Sequence, residues 1–572
     1  MRKIVFLLLL APLWTLAQKK QITLEDIYKK GTFRGESFRG FTEAADSLFD
    51  PKAVLDEKGQ VLGTGDYSVS GDKKRILFFN GREPIYRHSS KATVYLYDVS
   101  TRKAVPLNAG KVLHPTFSPD GNKVAYVFDN NLYVYDVASG KTTAVTTDGK
   151  WNHIINGNCD WVYEEEFSFT RAFEWSPEGS HIAYYKFDES KVKEYNMTLF
   201  NNAYNTDYRY KYPKAGDSNS VVEIHIYDVA NGRDVKAQYE TGDIYIPRIK
   251  WTQNNSQLAV FWLNRHQNHL KVLLTEAATG ASRTLYEEKN KYYVDIHDDW
   301  WFLKDGKHFL FASEMNGYNQ LYLYSLDGKK KVQISTMKAD IANVDGVDEK
   351  NQLVYYTLAH PTPMDRNFFV TDFGGKKTTA LTTGNGFHRV QLNRDFTQFY
   401  DYYSNINTPQ VVTRYAINRS RGNVQAVKGE VVAENTKLKN VLSEYALGKS
   451  EFIRVPNAQG DTLNGWMLKP ADFDPSKKYP VLFCNYGGPG SQQVANRFGA
   501  TSFWHQMLAQ KGIIVVSIDN TGTGYRGEEF KKKTYLRLGE MEINDQIDAA
   551  KYLGRLPYVD PNRIGHWGWS FG

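Results

Sequence analysis

A turn-and-strand unit recurs roughly every 45–55 residues through most of the chain, and after about residue 450 strands alternate with helices. Together these predict a β-propeller of about eight blades followed by a parallel α/β domain. A third observation is the aromatic content: 38 Tyr, 31 Phe and 12 Trp among 572 residues favour pleated, half-buried surfaces. The remaining composition, 41% hydrophobic and 24% charged, is that of a globular protein and excludes disordered and fibrous classes. The net charge of +7 is dispersed along the sequence, so nucleic acid is not an expected partner.

The first element is an address. Arg2 and Lys3 precede the apolar run Ile4 to Leu13, and Thr15-Leu16-Ala17 supplies small residues before Gln18, which predicts a secretory signal over 1–17 and an exported protein, periplasmic or secreted. The run is shorter than the roughly 20 residues that span a bilayer, and no later segment reaches that length, so no transmembrane span is expected. Residues 18–49 form an N-terminal segment expected to pack on the C-terminal domain.

The propeller is placed at 50–440. Ser118-Pro119-Asp120-Gly121 leads into Lys123 to Val127, and Ser176-Pro177-Glu178-Gly179 leads into His181 to Tyr185, with degenerate copies near Ser70, Thr252, Lys304, Asp348 and Asn393. A second unit follows at Tyr97-Asp98-Val99, Tyr135-Asp136-Val137 and Tyr227-Asp228-Val229. The wider gap between the copies at Ser176 and Thr252 holds the Tyr- and Asn-rich stretch Asn201 to Ser220, read as an extended arm that is either a surface loop or a dimerisation element. Cys159 and Cys484 are the only cysteines, too few for a disulfide framework, and both read as small buried apolar residues. Neither a cofactor nor a metal is expected.

From 441 to 572 the pattern changes. Tyr479 to Tyr486 reads as a buried strand leading into Gly487-Gly488-Pro489-Gly490. A second strand spans Gly512 to Asp519, helical residues run from Leu538 to Gly554, and a last strand covers Arg563 to Trp567. Gly568-Trp569-Ser570-Phe571-Gly572 follows at once, a G-x-S-x-G turn that presents a serine above the sheet of an α/β-hydrolase, so Ser570 is the candidate nucleophile. In that fold the acid and base follow the serine, which places the triad Asp and His beyond residue 572 and makes the catalytic domain incomplete, with an unpaired sheet edge. His505 and His566 precede the serine and read as structural. Tyr486 and the backbone N–H of Phe571 are the candidate oxyanion donors.

Within the propeller, Asp160-Trp161-Val162-Tyr163-Glu164-Glu165-Glu166 sets three acids in an aromatic segment. They are a solvated charge run, or they answer a cation such as a substrate ammonium. Arg87, after Tyr86 and before His88, is a surface charge or a donor to a substrate carbonyl.

These pieces, with Tyr212-Pro213-Lys214-Ala215-Gly216 and Asp519 to Gly527, resemble the dipeptidyl peptidase IV family of prolyl oligopeptidase-like serine peptidases, the acidic strip being the specific part. The resemblance implies an eight-bladed propeller capping the hydrolase domain, a homodimer to which a blade arm contributes, and removal of N-terminal Xaa-Pro, or less well Xaa-Ala, dipeptides from peptides with a free N-terminus. It implies Ser570 as nucleophile, Tyr486 as oxyanion donor, Glu165 and Glu166 as ligands of the substrate amino group, and Arg87 as donor to a substrate carbonyl. Asn520-Thr521-Gly522-Thr523-Gly524 departs from the family run after Asp519 and is read as structural. Rival readings are a tripeptidyl or acylaminoacyl peptidase of the same architecture, or a non-catalytic propeller that binds partners.

Overall fold

A computed structural model describes residues 19–41, 48–420 and 422–572; the predicted signal lies outside the described residues. The chain divides into two compact units. The first, residues 48–316 and 320–334, holds five antiparallel sheets spanning 67–106, 113–144, 154–236, 244–289 and 300–333. Four have four strands each and the third has five.

The repeated turns have one local cause. A hydroxyl or amide side chain at the end of the first strand accepts the N–H at the start of the second, five residues on. Ser70 holds Arg75 N–H at 3.0 Å, Ser118 holds Lys123 at 2.9 Å, Ser176 holds His181 at 3.0 Å, and Asn393 holds Gln398 at 3.0 Å. The third strand ends in an aspartate that closes the next turn: Asp98 accepts from Thr101 at 2.8 Å, Asp136 from Ser139 at 2.9 Å and Asp228 from Asn231 at 3.1 Å. Side-chain alternation then stacks the sheets. In Lys123–Phe128, Val124 and Tyr126 pack with Leu77, Ala92 and Val94 of the preceding sheet, while Ala125 and Val127 pack with Phe173, Ile182 and Tyr184 of the following one.

The predicted arm is a two-stranded hairpin, Glu194–Leu199 paired with Thr206–Lys211, inserted between strands His181–Asp188 and Val221–Asp228 of the third sheet. Near its tip Phe200 and Tyr204 are 76% and 88% exposed.

The second unit, residues 19–41, 317–319 and 335–572, contains two more four-stranded sheets, at 341–380 and 387–433, and one mixed sheet. The mixed sheet runs Ser450–Pro456, Thr462–Leu468, Ile514–Asp519, Tyr479–Asn485, Val559–Gly568 in spatial order. Its last three strands are mutually parallel, but the first two form an antiparallel hairpin that also meets Ile514–Asp519 antiparallel. That hairpin qualifies the expectation of a purely parallel sheet; the short connection 457–461 leaves no room for a crossover helix. Helices Phe503–Gln510 and Glu540–Gly554 follow the strands as the sequence pattern requires, and Phe483, Val516, Ala549 and Leu553 meet in one core. Residues 19–41 stay in this unit: Lys20 bridges Tyr445, the Ile22 N–H donates to Gln510 at 2.8 Å, Phe33 stacks on Phe503 at 4.1 Å, and Phe38 meets Tyr400 edge-on at 4.8 Å. Cys159 and Cys484 are buried free thiols.

Candidate active site

The turn after strand Val559–Gly568 is built around two glycines. Ser570 sits in the left-handed region at φ +55°, a strained position for a side-chain-bearing residue. A Cβ on Gly568 would lie 2.2 Å from backbone atoms of Gly572, and one on Gly572 would lie 2.1 Å from the Asn485 carbonyl oxygen. The turn therefore closes on itself and on the end of strand Tyr479–Asn485, which only glycines at both ends permit.

Tyr486 follows that strand directly. Its backbone N–H donates to the Gln493 Oε1 at 2.8 Å, and its ring centroid lies 6.4 Å from that of Phe571. Gly488 curls against the ring, where a Cβ would come within 2.7 Å. The loop is held from below by Asp519, whose two carboxylate oxygens accept the Gln493 and Val494 N–H groups at 3.0 Å each. Asn520, part of the departure from the family run, braces the same loop by donating to the Gly487 carbonyl at 3.0 Å. Asn485 is also structural: its Oδ1 accepts from Ile518 N–H at 2.9 Å and its Nδ2 donates to Gln546 at 2.7 Å. Beside the Ser570 turn lies a cavity of about 520 Å³ lined by Tyr486, Phe571, Ile543, Ile547, Ile564 and His566, among others.

The two histidines of this region have other duties. His505 lies in helix Phe503–Gln510 and closes its capping box, its Nδ1 accepting the Ser502 N–H at 3.1 Å; burial pushes it down to about 4. His566 lies on the last strand with its Nε2 at 3.2 Å from Asn485 Nδ2, and desolvation lowers its pKa as well.

Burial of Asp519 raises its carboxyl from near 4 to about 6. The folded state then binds a proton more tightly than the unfolded chain, so this contribution to stability is complete below about pH 4 and is lost as pH rises through about 6. Asp519→Asn is expected to flatten that slope, changing the wild-type-minus-variant stability on the order of 2–3 kcal/mol between pH 4 and 7.5 in urea melts. An unchanged difference would dismiss the protonation argument.

In the first unit, the acidic strip forms a short helix, Trp161–Glu166, rather than extended chain. Asp160 caps it, accepting the Tyr163 N–H at 2.9 Å and the Ser220 hydroxyl at 2.5 Å, and burial pushes Asp160 up to about 6. The three glutamates then diverge. Glu164 is buried and accepts the N–H groups of His88 and Ser89 at 2.7 and 2.9 Å. This pins the loop that carries Arg87, whose Nε lies 3.0 and 2.9 Å from the two oxygens of Glu165. The cation that answers Glu165 in the free protein is thus the chain's own arginine. Glu166 points to solvent at the mouth of a cavity of about 580 Å³ lined by Trp161, Tyr195, Tyr210, Tyr212 and Lys214. Desolvation, and then the neighbouring Glu165 charge, raise its pKa.

The family model for the dipeptidyl peptidase IV N-terminal region matches residues 70–410, and that for the prolyl oligopeptidase family matches 500–572. The chain belongs to the dipeptidyl peptidase IV family. A crystal structure of dipeptidyl peptidase 4 from Porphyromonas gingivalis is 36% identical with a TM-score of 0.87, the match covering 96% of this chain and 81% of that one. Curated dipeptidyl peptidase 4 sequences of Trichophyton equinum and Trichophyton rubrum are 29% and 28% identical, each covering 89% of this chain and 68% of the relative. Membership of the dipeptidyl peptidase IV family makes this a serine-type dipeptidyl peptidase with a propeller and an α/β-hydrolase domain.

Sequence reasoning did not find the roles of Asp160, Glu164 and Asp519. For Asp160 a signal was present: an aspartate immediately before a short run with an acid in its first turn is an N-cap signature. Glu164 and Asp519 act on backbone N–H groups distant in sequence or across a loop, and nothing local announces them.

Proposed function

We propose that the chain releases Xaa-Pro or Xaa-Ala dipeptides from the free N-terminus of oligopeptides. Glu165 and Glu166 bind the substrate ammonium and Arg87 donates to a substrate carbonyl. The Ser570 Oγ attacks the second peptide carbonyl while a histidine, expected beyond residue 572 together with its aspartate, takes the hydroxyl proton. The tetrahedral oxyanion is met by the Tyr486 hydroxyl and the Phe571 N–H. Return of the proton expels the amine, and water then hydrolyses the dipeptidyl ester.

The observation that carries this reading is the Glu164-anchored coupling of Arg87 to Glu165. It sets a guanidinium against one carboxylate, with Glu166 the next residue of the same short helix, which suits an N-terminal residue whose ammonium and carbonyl must be gripped together. A panel of Gly-Pro, Ala-Pro and N-acetyl-Ala-Pro chromogenic substrates tests it. Free amines are expected to be cleaved and the acetylated substrate refused; cleavage of the blocked peptide at a similar rate would favour an acylaminoacyl peptidase.

The wider expectations stand with this proposal. Seven sheets of four or five strands are described between 67 and 433, and the segment before them, where Leu55 bridges Val61 and Phe49, Val54 and Leu62 are buried, is proposed to form part of an eighth blade. The hairpin 194–211, with its exposed Phe200 and Tyr204, is the proposed homodimer arm. Export through a cleaved signal at 1–17 is likewise proposed; among the described residues no helix is long and apolar enough to cross a membrane.

A further inference from the structure

Away from the residues assigned to peptide binding, Asp295, His297 and Glu314 bring one ligand atom each to within 4.8 Å of one another. The sheet sets this up. Strand Trp300–Phe302 pairs with His308–Ser313 with Trp300 opposite Phe311, and the ladder continues as the Ala312 N–H donates to the Asp299 carbonyl at 2.9 Å. Carried outward, that register sets His297 opposite Glu314 where both strands leave the sheet, with Asp295 two residues further along the incoming segment. The three residues thus lie in irregular chain just beyond the paired strands, on the two segments that the ladder brings together.

The second observation is on the imidazole. His297 Nε2 is buried and has no hydrogen-bond partner among the described residues. A ring nitrogen closed off from water and from protein is unfavourable unless something else ligates it. Two nearby cations have partners of their own: Arg248 pairs with Asp298 through Nη2 at 3.2 Å, and Lys250 donates to the Trp300 carbonyl.

We propose that Asp295, His297 and Glu314 bind one divalent transition-metal ion, which fastens the segment before Trp300 to the end of strand His308–Ser313. One imidazole with two carboxylates suits Zn²⁺ or Mn²⁺; the ring nitrogen disfavours Ca²⁺ and Mg²⁺, which take oxygen ligands. Zinc ligands at about 2.1 Å in a tetrahedron lie about 3.4 Å apart, within the spread of these three groups, and three protein ligands leave one position for water.

The test uses the full chain, stripped with chelator, dialysed and titrated with Zn²⁺ by calorimetry, with Co²⁺ as a visible-absorption probe. One equivalent of Zn²⁺ per chain is expected, with a rise in melting temperature. His297→Ala is expected to weaken binding at least about tenfold and remove the Co²⁺ band. Asp295→Asn, at a partly exposed position, keeps the fold and weakens binding in the same direction. His308→Ala, which removes a histidine paired instead with Asp305, leaves binding unchanged. Failure to bind one equivalent, or binding that survives both His297→Ala and Asp295→Asn, overturns the proposal.

Discussion

Ser570→Ala, in the chain extended through its triad acid and base, is expected to lower kcat on Gly-Pro chromogenic substrates by about 10⁶-fold, the loss seen when a triad nucleophile is removed. At φ +55° the serine occupies a conformation that an unstrained turn would give to glycine, and the turn is locked by Gly568 against Gly572 and by Gly572 against Asn485. A chain that holds a serine there accepts strain in order to lift its hydroxyl off the sheet. Alanine keeps the strain and loses only the oxygen, so the melting temperature should stay within a degree or two while turnover vanishes. A fluorophosphonate probe gives an independent readout: it should label a peptide containing Ser570 in the wild type and nothing in the variant. Retained turnover, or labelling at another serine, would dismiss Ser570 as the nucleophile.

The elements that the sequence announced are those fixed by neighbours in the chain. The turns at Ser118 and Ser176 close through bonds spanning five residues, so the residue pattern and the structure are the same fact seen twice. Strand Tyr479–Asn485, its glycine loop and the G-x-S-x-G turn are local in the same way. What escaped the sequence depends on distant partners. A six-residue helix such as Trp161–Glu166 has too few internal hydrogen bonds to persist alone; it exists because Asp160 caps it, Ser220 holds Asp160, and Glu164 is tied to His88 and Ser89. The pairing of Arg87 with Glu165 joins residues 78 apart, and the strip alone could not decide between a solvated charge run and a receptor for a cation. The antiparallel hairpin 450–468 was hidden for a different reason: its burial alternates weakly in Ser450–Pro456, so only the strand beside it carries a clear buried pattern.

The pairing of Arg87 also makes the two proposed ammonium ligands unequal, and that inequality can be measured. In the free protein Glu165 is already neutralised, through a pair whose arginine is largely exposed and which contributes no more than about 1 kcal/mol. Glu166 carries the less compensated charge; it stays open to solvent at the cavity mouth, but partial desolvation beside Trp161 and Tyr212, and then the Glu165 charge, raise its pKa, so its ionised form is held at some cost. A substrate ammonium removes that cost, so Glu166 should bind it with more of the available energy than Glu165. Glu166→Gln is therefore expected to lower kcat/KM for Gly-Pro substrates by about 10–10²-fold, in line with losing a charge-assisted hydrogen bond to the substrate ammonium, and Glu165→Gln by less. The pH profile supplies a signature that misfolding would not. Binding needs Glu166 ionised, so wild-type kcat/KM should fall as pH drops through the raised Glu166 pKa, and in Glu166→Gln that acid limb should disappear while the limb set by the catalytic histidine remains. Equal losses in the two variants would remove the asymmetry drawn from Arg87. Wild-type kinetics in both would remove the ammonium anchor altogether, leaving the short helix as a structural support for the Arg87 loop.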